Sequence, residues 1–222
     1  MQSNIILLQN YRILMQRIDQ YNDQYNGQAE LLLVSKNLGQ DQIKYILANT
    51  EHRIFGENRV QNTVNKWSTL KKDYPNIKLH LIGKLQSNKV KLAVRLFDVI
   101  ETIDSVTLAS KVIDEALQIS KKIQIFLQIN IANEPHKNGV FLKDVDDIFK
   151  RIRNNGIHVA GIMCIPPIKG STSAYFQHIN QIAKKYKISK ISMGMSTDFQ
   201  SAIEHGSTQV RIGSFLTTFS LA

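Results

Sequence analysis

The chain has 222 residues, of which 28 are Lys or Arg and 18 are Asp or Glu, so its formal net charge is +10. Its 43% hydrophobic and 21% charged residues are typical of a folded globular protein and exclude a disordered tail. The single cysteine, Cys164, excludes an internal disulfide and a multi-cysteine metal site. A chain of this length can bury one sizeable core without such cross-links.

The first twenty residues carry neither a secretory signal nor a membrane span. Their apolar run, Ile5–Leu8, has four residues and no basic residue before it. A signal peptide needs about 7–15 apolar residues and a membrane span about 20. We therefore expect a cytoplasmic protein, whose first element is a helix over Asn4–Gln20.

Short apolar runs rich in β-branched residues follow, and stretches with helical periodicity separate them. Val106–Ser120 and Leu142–Arg153 are two of these amphipathic stretches and predict helices. The apolar runs predict strands. They are Glu30–Lys36, Arg53–Asn58, Lys78–Gly83, Asp98–Asp104, Gln124–Asn130, His158–Ile165, Lys190–Ser196 and Gln209–Phe215.

This alternation predicts an α/β fold with parallel, buried strands. Eight strand–helix units in 222 residues suit a small (β/α)₈ TIM barrel with an extra N-terminal helix. An open doubly wound sheet also fits, but Lys36-Asn37-Leu38-Gly39 stands where a glycine-rich dinucleotide loop would follow the first strand. We therefore predict a single barrel domain over residues 1–222.

Polar residues follow nearly every apolar run, at the end where a barrel of this kind carries its active site. The first of them is Lys36. At the end of an apolar strand it would be partly desolvated, which favours the neutral amine and makes it a nucleophile for a carbonyl. The alternative is a lysine that extends from the barrel mouth into water. The other polar residues at these ends are Ser35, Glu57, Asn58, Asn130, Ser196 and Ser214, with Gly83 and Gly213.

The segments after the seventh and eighth strands favour a phosphate site, as is frequent in barrels. Thr197 and Gln200 have capping-box spacing, which places Asp198 in the first turn of a helix near Ser196. Helix N-termini bind phosphate, and Gly213 lets the backbone approach an oxyanion. The alternative is that these residues only cap a helix and make a turn. Together with Lys36 they predict a ligand with an aldehyde and a phosphate, such as pyridoxal 5′-phosphate.

Arg211 would point inward from the eighth strand. A buried arginine needs a partner, and the usual one is a structural carboxylate. Alternatively its guanidinium faces the pyridine nitrogen of the cofactor. A cation there keeps that nitrogen unprotonated, so the ring would support only weak carbanion chemistry.

Seven segments resemble the pyridoxal phosphate homeostasis protein family, in the family's order along the chain. They include Val34-Ser35-Lys36, Phe55-Gly56-Glu57-Asn58 and the segment from His80 to Lys89. The others are Lys137–Val140, Gly161–Pro167, Ser192–Asp198 and Gly206–Ser214.

The resemblance implies a barrel related to the N-terminal domain of bacterial alanine racemase. It also implies a Schiff base on Lys36, phosphate contacts from Ser196, Gly213 and Ser214, Arg211 at the pyridine nitrogen, and Asn58 near the cofactor. Members of the family are thought to buffer pyridoxal 5′-phosphate inside the cell and deliver it to apo-enzymes that depend on it. No catalytic turnover is established for them.

The alternative function is a pyridoxal-dependent amino-acid racemase or lyase of low activity. Racemisation needs acid–base groups on both faces of the substrate. In the racemases one of these groups is a tyrosine from the second domain of a partner subunit. We expect no such second domain in this chain, since the predicted barrel uses nearly all of its residues. We therefore expect a monomer. The seven tyrosines (Tyr11, Tyr21, Tyr25, Tyr45, Tyr74, Tyr175, Tyr186) all fall in predicted helices or their flanks.

The remaining candidates have structural interpretations. Nucleic-acid binding would depend on charge alone, because basic pairs such as Lys71-Lys72 and Lys184-Lys185 are scattered over different helices without aromatic neighbours. The six histidines show no metal-ligand spacing, and His80 is predicted to be a hydrogen-bonded core residue. Cys164 is predicted to be a buried hydrophobe. Lys137 is an ordinary solvated lysine or a transient acceptor of the aldehyde.

Overall fold

The computed structural model describes residues 2–167 and 170–218. Met1, residues 168–169 and residues 219–222, which the predicted domain also includes, lie outside this description. The strands are β1 (Glu30–Val34), β2 (Ile54–Glu57), β3 (Lys78–Leu81), β4 (Val99–Ile103), β5 (Gln124–Asn130), β6 (Val140–Phe141), β7 (Gly161–Cys164), β8 (Lys190–Ser192) and β9 (Gln209–Ile212).

The helices alternate with these strands. They are α1 (Gln2–Tyr25), α2 (Gln40–Asn49), α3 (Val60–Asp73), α4 (Val90–Leu96), α5 (Val106–Gln118), α6 (Val145–Asn154), α7 (Ser173–Tyr186), α8 (Phe199–Glu204) and α9 (Ser214–Thr218). Two 3₁₀ turns, Ser87–Lys89 and Leu142–Asp144, lead into α4 and α6.

The sheet closes into a parallel barrel. Its order runs β4-β3-β2-β1-β9-β8-β7-β5, and β4 also pairs with β5, with Val99 opposite Gln124. Two-residue β6 pairs only with the end of β5 and lies outside the ring. The predicted (β/α)₈ TIM barrel with an extra N-terminal helix is therefore confirmed.

Strand ends differ from the prediction, because the chain leaves the hydrogen-bonded ladder before the last residues of several predicted runs. The first strand, expected to reach Lys36, ends at Val34. Ser35 N still donates to Gly56 O at 3.0 Å, but Leu38 N already turns back to Ser35 O at 2.9 Å. The fifth strand has the predicted bounds, Gln124–Asn130.

Residues on each strand alternate between the helix layer and the barrel interior. On β1, Leu31 and Leu33 pack in the hydrophobic core beneath the helices, so Leu32 faces inward. Arg211 is opposite Leu32 in the β1–β9 register and shares that inward face. The prediction that Arg211 points into the barrel is therefore correct.

Helix α1 packs along α2, α8 and α9 on the outside of the barrel. Its buried face includes Leu14 and Ile18, and buried Asn10 donates a hydrogen bond to Leu216 O at 3.1 Å. Although α1 has 24 residues, no helix in the described part of the chain is both long and apolar enough to cross a membrane.

Gly83 lets the segments after β2 and β3 approach each other closely. A Cβ atom at this position would lie 1.9 Å from the backbone oxygen of Asn58. The obstacle is backbone, which cannot rotate away as a side chain can. Only glycine therefore fits here, and its absence of a side chain fixes where Asn58 lies at the barrel mouth.

We expect Gly83→Ala to destabilise the fold by about 3 kcal/mol, near the upper end of the usual cost of overpacking. Chemical denaturation measures this change. Gly39→Ala is the control, because its Cβ would have no neighbour closer than 3.9 Å, and we expect it to cost less than about 1 kcal/mol. Equal stabilities of the two variants would contradict the close approach at Asn58.

Candidate functional site

A cavity of about 380 Å³ opens at the carboxyl ends of the barrel strands, within the size range of small-molecule sites of about 300–1,000 Å³. We call it the carboxyl-end cavity. The structure brings together all of the predicted site residues as part of its lining: Lys36, Asn58, Ser196, Arg211, Gly213 and Ser214. Ile82, Ile165, Met195 and Thr217 also line the cavity and were not among the predicted site residues.

Lys36 lies in the turn that follows β1, and its side chain is exposed. The expectation that this lysine is partly desolvated is therefore wrong. The reason is that β1 ends two residues earlier, so Lys36 stands beyond the apolar strand rather than on it. Its amine is accessible from the cavity and from solvent.

A buried carboxylate beneath this turn holds it in place. Glu57 accepts hydrogen bonds from Ser35 Oγ at 2.7 Å and Trp67 Nε1 at 3.0 Å, and Lys66 Nζ lies 2.7 Å from it. Lys66 Nζ also donates to Ser35 O at 2.7 Å and to Leu38 O at 3.2 Å. Glu57 therefore faces α3 and is absent from the cavity lining, although the sequence analysis placed it among the polar residues of the barrel mouth.

Asn58 lines the carboxyl-end cavity and carries an unsatisfied acceptor. Its Oδ1 atom is buried and has no hydrogen-bond partner among the described residues. Such an atom costs free energy unless something pairs with it. The carboxamide of Asn58 is therefore suited to a ligand that brings a hydrogen-bond donor.

Two hydroxyl groups of the lining meet after β8 and β9, where Ser214 Oγ donates to Ser196 Oγ at 2.9 Å. Gly213, between β9 and α9, is required for a backbone contact, since a Cβ there would lie 2.8 Å from Val34 O. Gly213 thus brings the start of α9 against the end of β1, near Lys36.

The predicted capping box at Thr197 and Gln200 is wrong. Helix α8 begins at Phe199, so Asp198 is its N-cap rather than a residue of its first turn. Asp198 Oδ1 accepts from Met195 N at 2.6 Å and so closes the loop that carries Ser196. Burial raises the pKa of Asp198, while the Met195 hydrogen bond and Arg211 oppose that rise.

Arg211 reaches the carboxyl-end cavity from inside the barrel and is 4% exposed. Its Nη1 donates to Ser192 Oγ at 2.8 Å and its Nη2 donates to Cys164 O at 2.8 Å. These two bonds fix the plane of the guanidinium. The expected carboxylate partner exists but is one residue removed, because Ser192 Oγ in turn donates to Glu101 Oε2 at 2.6 Å.

Glu101, on β4, is the centre of this polar interior. Its Oε1 atom accepts from Gln209 Nε2 and lies against His80 Nδ1, each at 2.6 Å. Burial alone would raise the pKa of Glu101, but the His80 hydrogen bond and charge, together with Arg211 and Ser192, outweigh it and lower the pKa. Glu101 is therefore an ionised, fully paired carboxylate in the barrel interior.

The sequence analysis missed the roles of Glu101, Glu57, Lys66 and Trp67. A signal for Glu101 was available, since it interrupts the apolar run Val99–Ile103, as Arg211 interrupts the run of β9. The predicted environment of His80 is correct, because it is buried and hydrogen-bonded. Cys164 is buried as predicted, and burial raises the pKa of its thiol to about 12.

Lys137 differs from an ordinary solvated lysine. Its Nζ lies 2.5 Å from Glu134 Oε2 and 3.4 Å from Pro166 O, and its side chain is 26% exposed. It is absent from the lining of the carboxyl-end cavity. The tyrosines lie in α1, α2 and α7 or follow α3, as predicted, and none of them lines this cavity in the described part of the chain.

The arrangement therefore offers an accessible amine, a fixed buried cation, an unpaired amide oxygen and two hydroxyls around one small volume. The described residues contain no group of three or more His, Cys, Asp or Glu side chains placed to hold a metal ion. These groups suit a small organic anion that carries a carbonyl.

Over residues 7–220 the sequence matches the family described as "Alanine racemase, N-terminal domain". It is 33% identical over 219 residues to a pyridoxal phosphate homeostasis protein of Buchnera aphidicola subsp. Schizaphis graminum, covering 93% of this chain and 95% of that protein. A Vibrio cholerae protein of the same name is 36% identical over 200 residues, 83% of each chain. The chain also resembles the structure of PipY of Synechococcus elongatus PCC7942 with PLP bound, with a sequence identity of 30% and a TM-score of 0.80. That similarity covers 91% of this chain and 98% of the PipY chain.

We expect Glu101→Gln to destabilise the protein by about 3 kcal/mol at pH 7, because it leaves Arg211 buried without the negative charge of Glu101. Since the folded-state pKa of Glu101 is lowered, its contribution is complete above the unfolded value of about 4.3. It is lost as the pH falls below that value. Chemical denaturation from pH 7 to 3 therefore should show the difference from wild type shrinking with acidity.

Asp146→Asn is the matched control, because Asp146 pairs with Lys185 on the exposed surface of the molecule. We expect little change in the free energy of unfolding from that variant. A Glu101→Gln protein as stable as wild type at pH 7 would contradict the ionised interior.

Proposed function

Because this chain belongs to the pyridoxal phosphate homeostasis protein family, we propose that it binds pyridoxal 5′-phosphate and serves to hold and deliver that cofactor. The observation that carries the proposal is that all six residues predicted from the sequence line one cavity of about 380 Å³. The PLP-bound structure of PipY, at 30% identity over 91% of this chain, supports the same ligand.

The donor set fits the chemical groups of the cofactor. Lys36 Nζ, exposed at the mouth, would bond to its aldehyde as a Schiff base, with loss of water. The Ser196 and Ser214 hydroxyls, with the backbone around Gly213, would hold its phosphate. Asn58 Oδ1, buried and unpaired, would accept a hydrogen bond from the bound molecule.

Arg211 would face the pyridine nitrogen. When bound, pyridoxal 5′-phosphate supplies an electron sink, and its strength depends on a proton at that nitrogen. The guanidinium is held by Ser192 and Cys164 O, so it presents a fixed positive charge that disfavours such a proton. This chain would therefore hold the cofactor while limiting carbanion chemistry.

The absence of a second acid–base group at the cavity supports a function without turnover. Racemisation needs such groups on both faces of the substrate. Of the described residues that line the carboxyl-end cavity, none is a tyrosine, histidine or carboxylate. A racemase or lyase of low activity is the alternative that the alanine racemase relationship keeps open.

We further propose that residues 1–222 form one barrel domain, that the protein is a monomer, and that it meets apo-enzymes only transiently. The closed ring of strand pairs from Glu30 to Ile212 supports a single domain. On the described surface, large exposed apolar side chains are confined to two small groups at Ile5, Ile6, Leu117 and Ile119. Patches this small are ordinary for a monomer.

We expect Lys36→Ala to lose the visible absorption band that the cofactor shows when bonded to a lysine, because no amine remains at that position. Weak binding through the phosphate contacts should persist. Absorption spectroscopy after addition of pyridoxal 5′-phosphate measures both. Lys44→Ala, an exposed lysine on α2, is the control and should keep the band. An unchanged band in Lys36→Ala would exclude Lys36 as the anchor.

We expect the loaded protein to restore activity to an apo-enzyme that requires pyridoxal 5′-phosphate, because the mouth of the carboxyl-end cavity is open to a partner. We also expect amino-acid racemisation no faster than with free cofactor. The two assays are run on the same preparation. Racemisation well above the free-cofactor background would favour the racemase alternative.

A further inference from the structure

A second cavity, of about 560 Å³, opens at the opposite end of the barrel. We call it the amino-end cavity. Seven of the eight barrel strands contribute their first residue to its lining, so it is the amino-terminal opening of the barrel itself. The functions proposed above make no use of it. Those first residues are Glu30, Ile54, Lys78, Val99, Gln124, Lys190 and Gln209.

The rim of this cavity carries an excess of positive charge. Lys78, Lys122 and Lys190 line it, and its acidic residues are Glu30 and Asp98. Asp98 is already paired, with Lys71 Nζ at 2.5 Å and Lys121 Nζ at 3.9 Å. Glu30 alone is thus left to balance three lysines.

The floor of the cavity is formed by buried polar side chains, His80 and Gln209, which are 5% and 8% exposed. An ionised carboxylate can only accept a hydrogen bond, so the Nδ1 atom of His80 carries the proton that Glu101 accepts. The other ring nitrogen, Nε2, has no hydrogen-bond partner among the described residues. It is therefore available to a molecule in the cavity.

A continuous chain of hydrogen bonds connects this floor to the carboxyl-end cavity. It runs from His80 to Glu101 at 2.6 Å, to Ser192 at 2.6 Å and to Arg211 at 2.8 Å. A charge bound against His80 therefore alters the field at Glu101 and, through Ser192, the balance of charge around Arg211.

We propose that the amino-end cavity binds a small polyvalent anion, bearing phosphate or carboxylate groups, between its lysine rim and His80 Nε2. The volume suits a small molecule. The anion sits at the opposite end of the barrel from the cofactor and acts on it through Glu101 and Ser192. Binding at this site is independent of the proposed function, whereas the effect on the cofactor rests on it.

The binding test uses cofactor-free protein and follows the imidazole resonance of His80 by NMR while inorganic phosphate or malonate is added at constant ionic strength. We expect a saturable shift with at least one of these anions and none with chloride. Lys78→Gln/Lys122→Gln should weaken the binding at least about tenfold, or about 1.4 kcal/mol. Lys72→Gln/Lys91→Gln removes the same charge from other exposed positions and should leave the affinity unchanged.

Saturation by phosphate alone indicates a phosphate ester as the ligand class, and saturation by malonate a dicarboxylate. Absence of a saturable His80 shift with either anion overturns the proposal, as does equal weakening in both double variants. His80→Asn assigns the resonance. Should that variant fail to fold, loss of the shift in Lys78→Gln/Lys122→Gln still locates the site.

The coupling test adds the anion to protein loaded with pyridoxal 5′-phosphate and records the cofactor's absorption band. We expect a shift in wild type that is lost in Ser192→Ala, because that variant removes the hydroxyl that joins Glu101 to Arg211. A band that does not move while the His80 resonance does overturns the coupling. If the protein takes up no cofactor, the proposed function fails, and the NMR result still decides the anion site.

Discussion

The ionised carboxylate of Glu101 is the constraint on which the interior of this barrel depends. Barrel interiors are ordinarily filled by branched apolar side chains in layers. Here a charge with no solvent contact lies among them, and such a charge is tolerated only when its acceptors are occupied. His80, Ser192 and Gln209 occupy them, and Ser192 then becomes the acceptor that orients Arg211. The position of Arg211 in the carboxyl-end cavity thus depends on Glu101, which lies deeper in the barrel.

A second buried carboxylate, outside the barrel interior, also positions a residue of the carboxyl-end cavity. Glu57 faces the helix layer and, with Lys66 and Trp67, fixes the turn that carries Lys36. Each cation at the carboxyl-end cavity therefore has its own support, Glu57 beneath Lys36 and Glu101 behind Arg211. The exposed amine of Lys36 therefore extends from a turn that is held by hydrogen bonds, whereas the guanidinium of Arg211 is itself held by two hydrogen bonds.

The sequence was sufficient for the fold and for predicting residues that line one cavity. Apolar runs at regular spacing identify eight barrel strands, and the polar residues after them converge because parallel strands end at one face. It was insufficient wherever the backbone departs from periodicity. Lys36 is exposed because the ladder ends at Val34, and Asp198 caps α8 because the loop turns back to Met195. Whether Glu57 faces the helices or the cavity depends on where its strand ends, and the local sequence pattern does not predict that end. Glu101 was detectable as an isolated charge, but its partners come from three other strands.

The hydrogen-bonded chain from His80 to Arg211 has a consequence for engineering this scaffold. Its four side chains belong to two pairs of neighbouring strands, β3 with β4 and β8 with β9, which lie on opposite sides of the ring. The hydrogen bond from Ser192 to Glu101 joins the two pairs across the barrel interior. If these side chains are replaced one at a time, some of the intermediate variants contain a buried charge without a partner. To transfer the carboxyl-end cavity to another barrel, all four side chains therefore have to be transferred together. Random mutagenesis of single positions should yield no improved variants at these four positions.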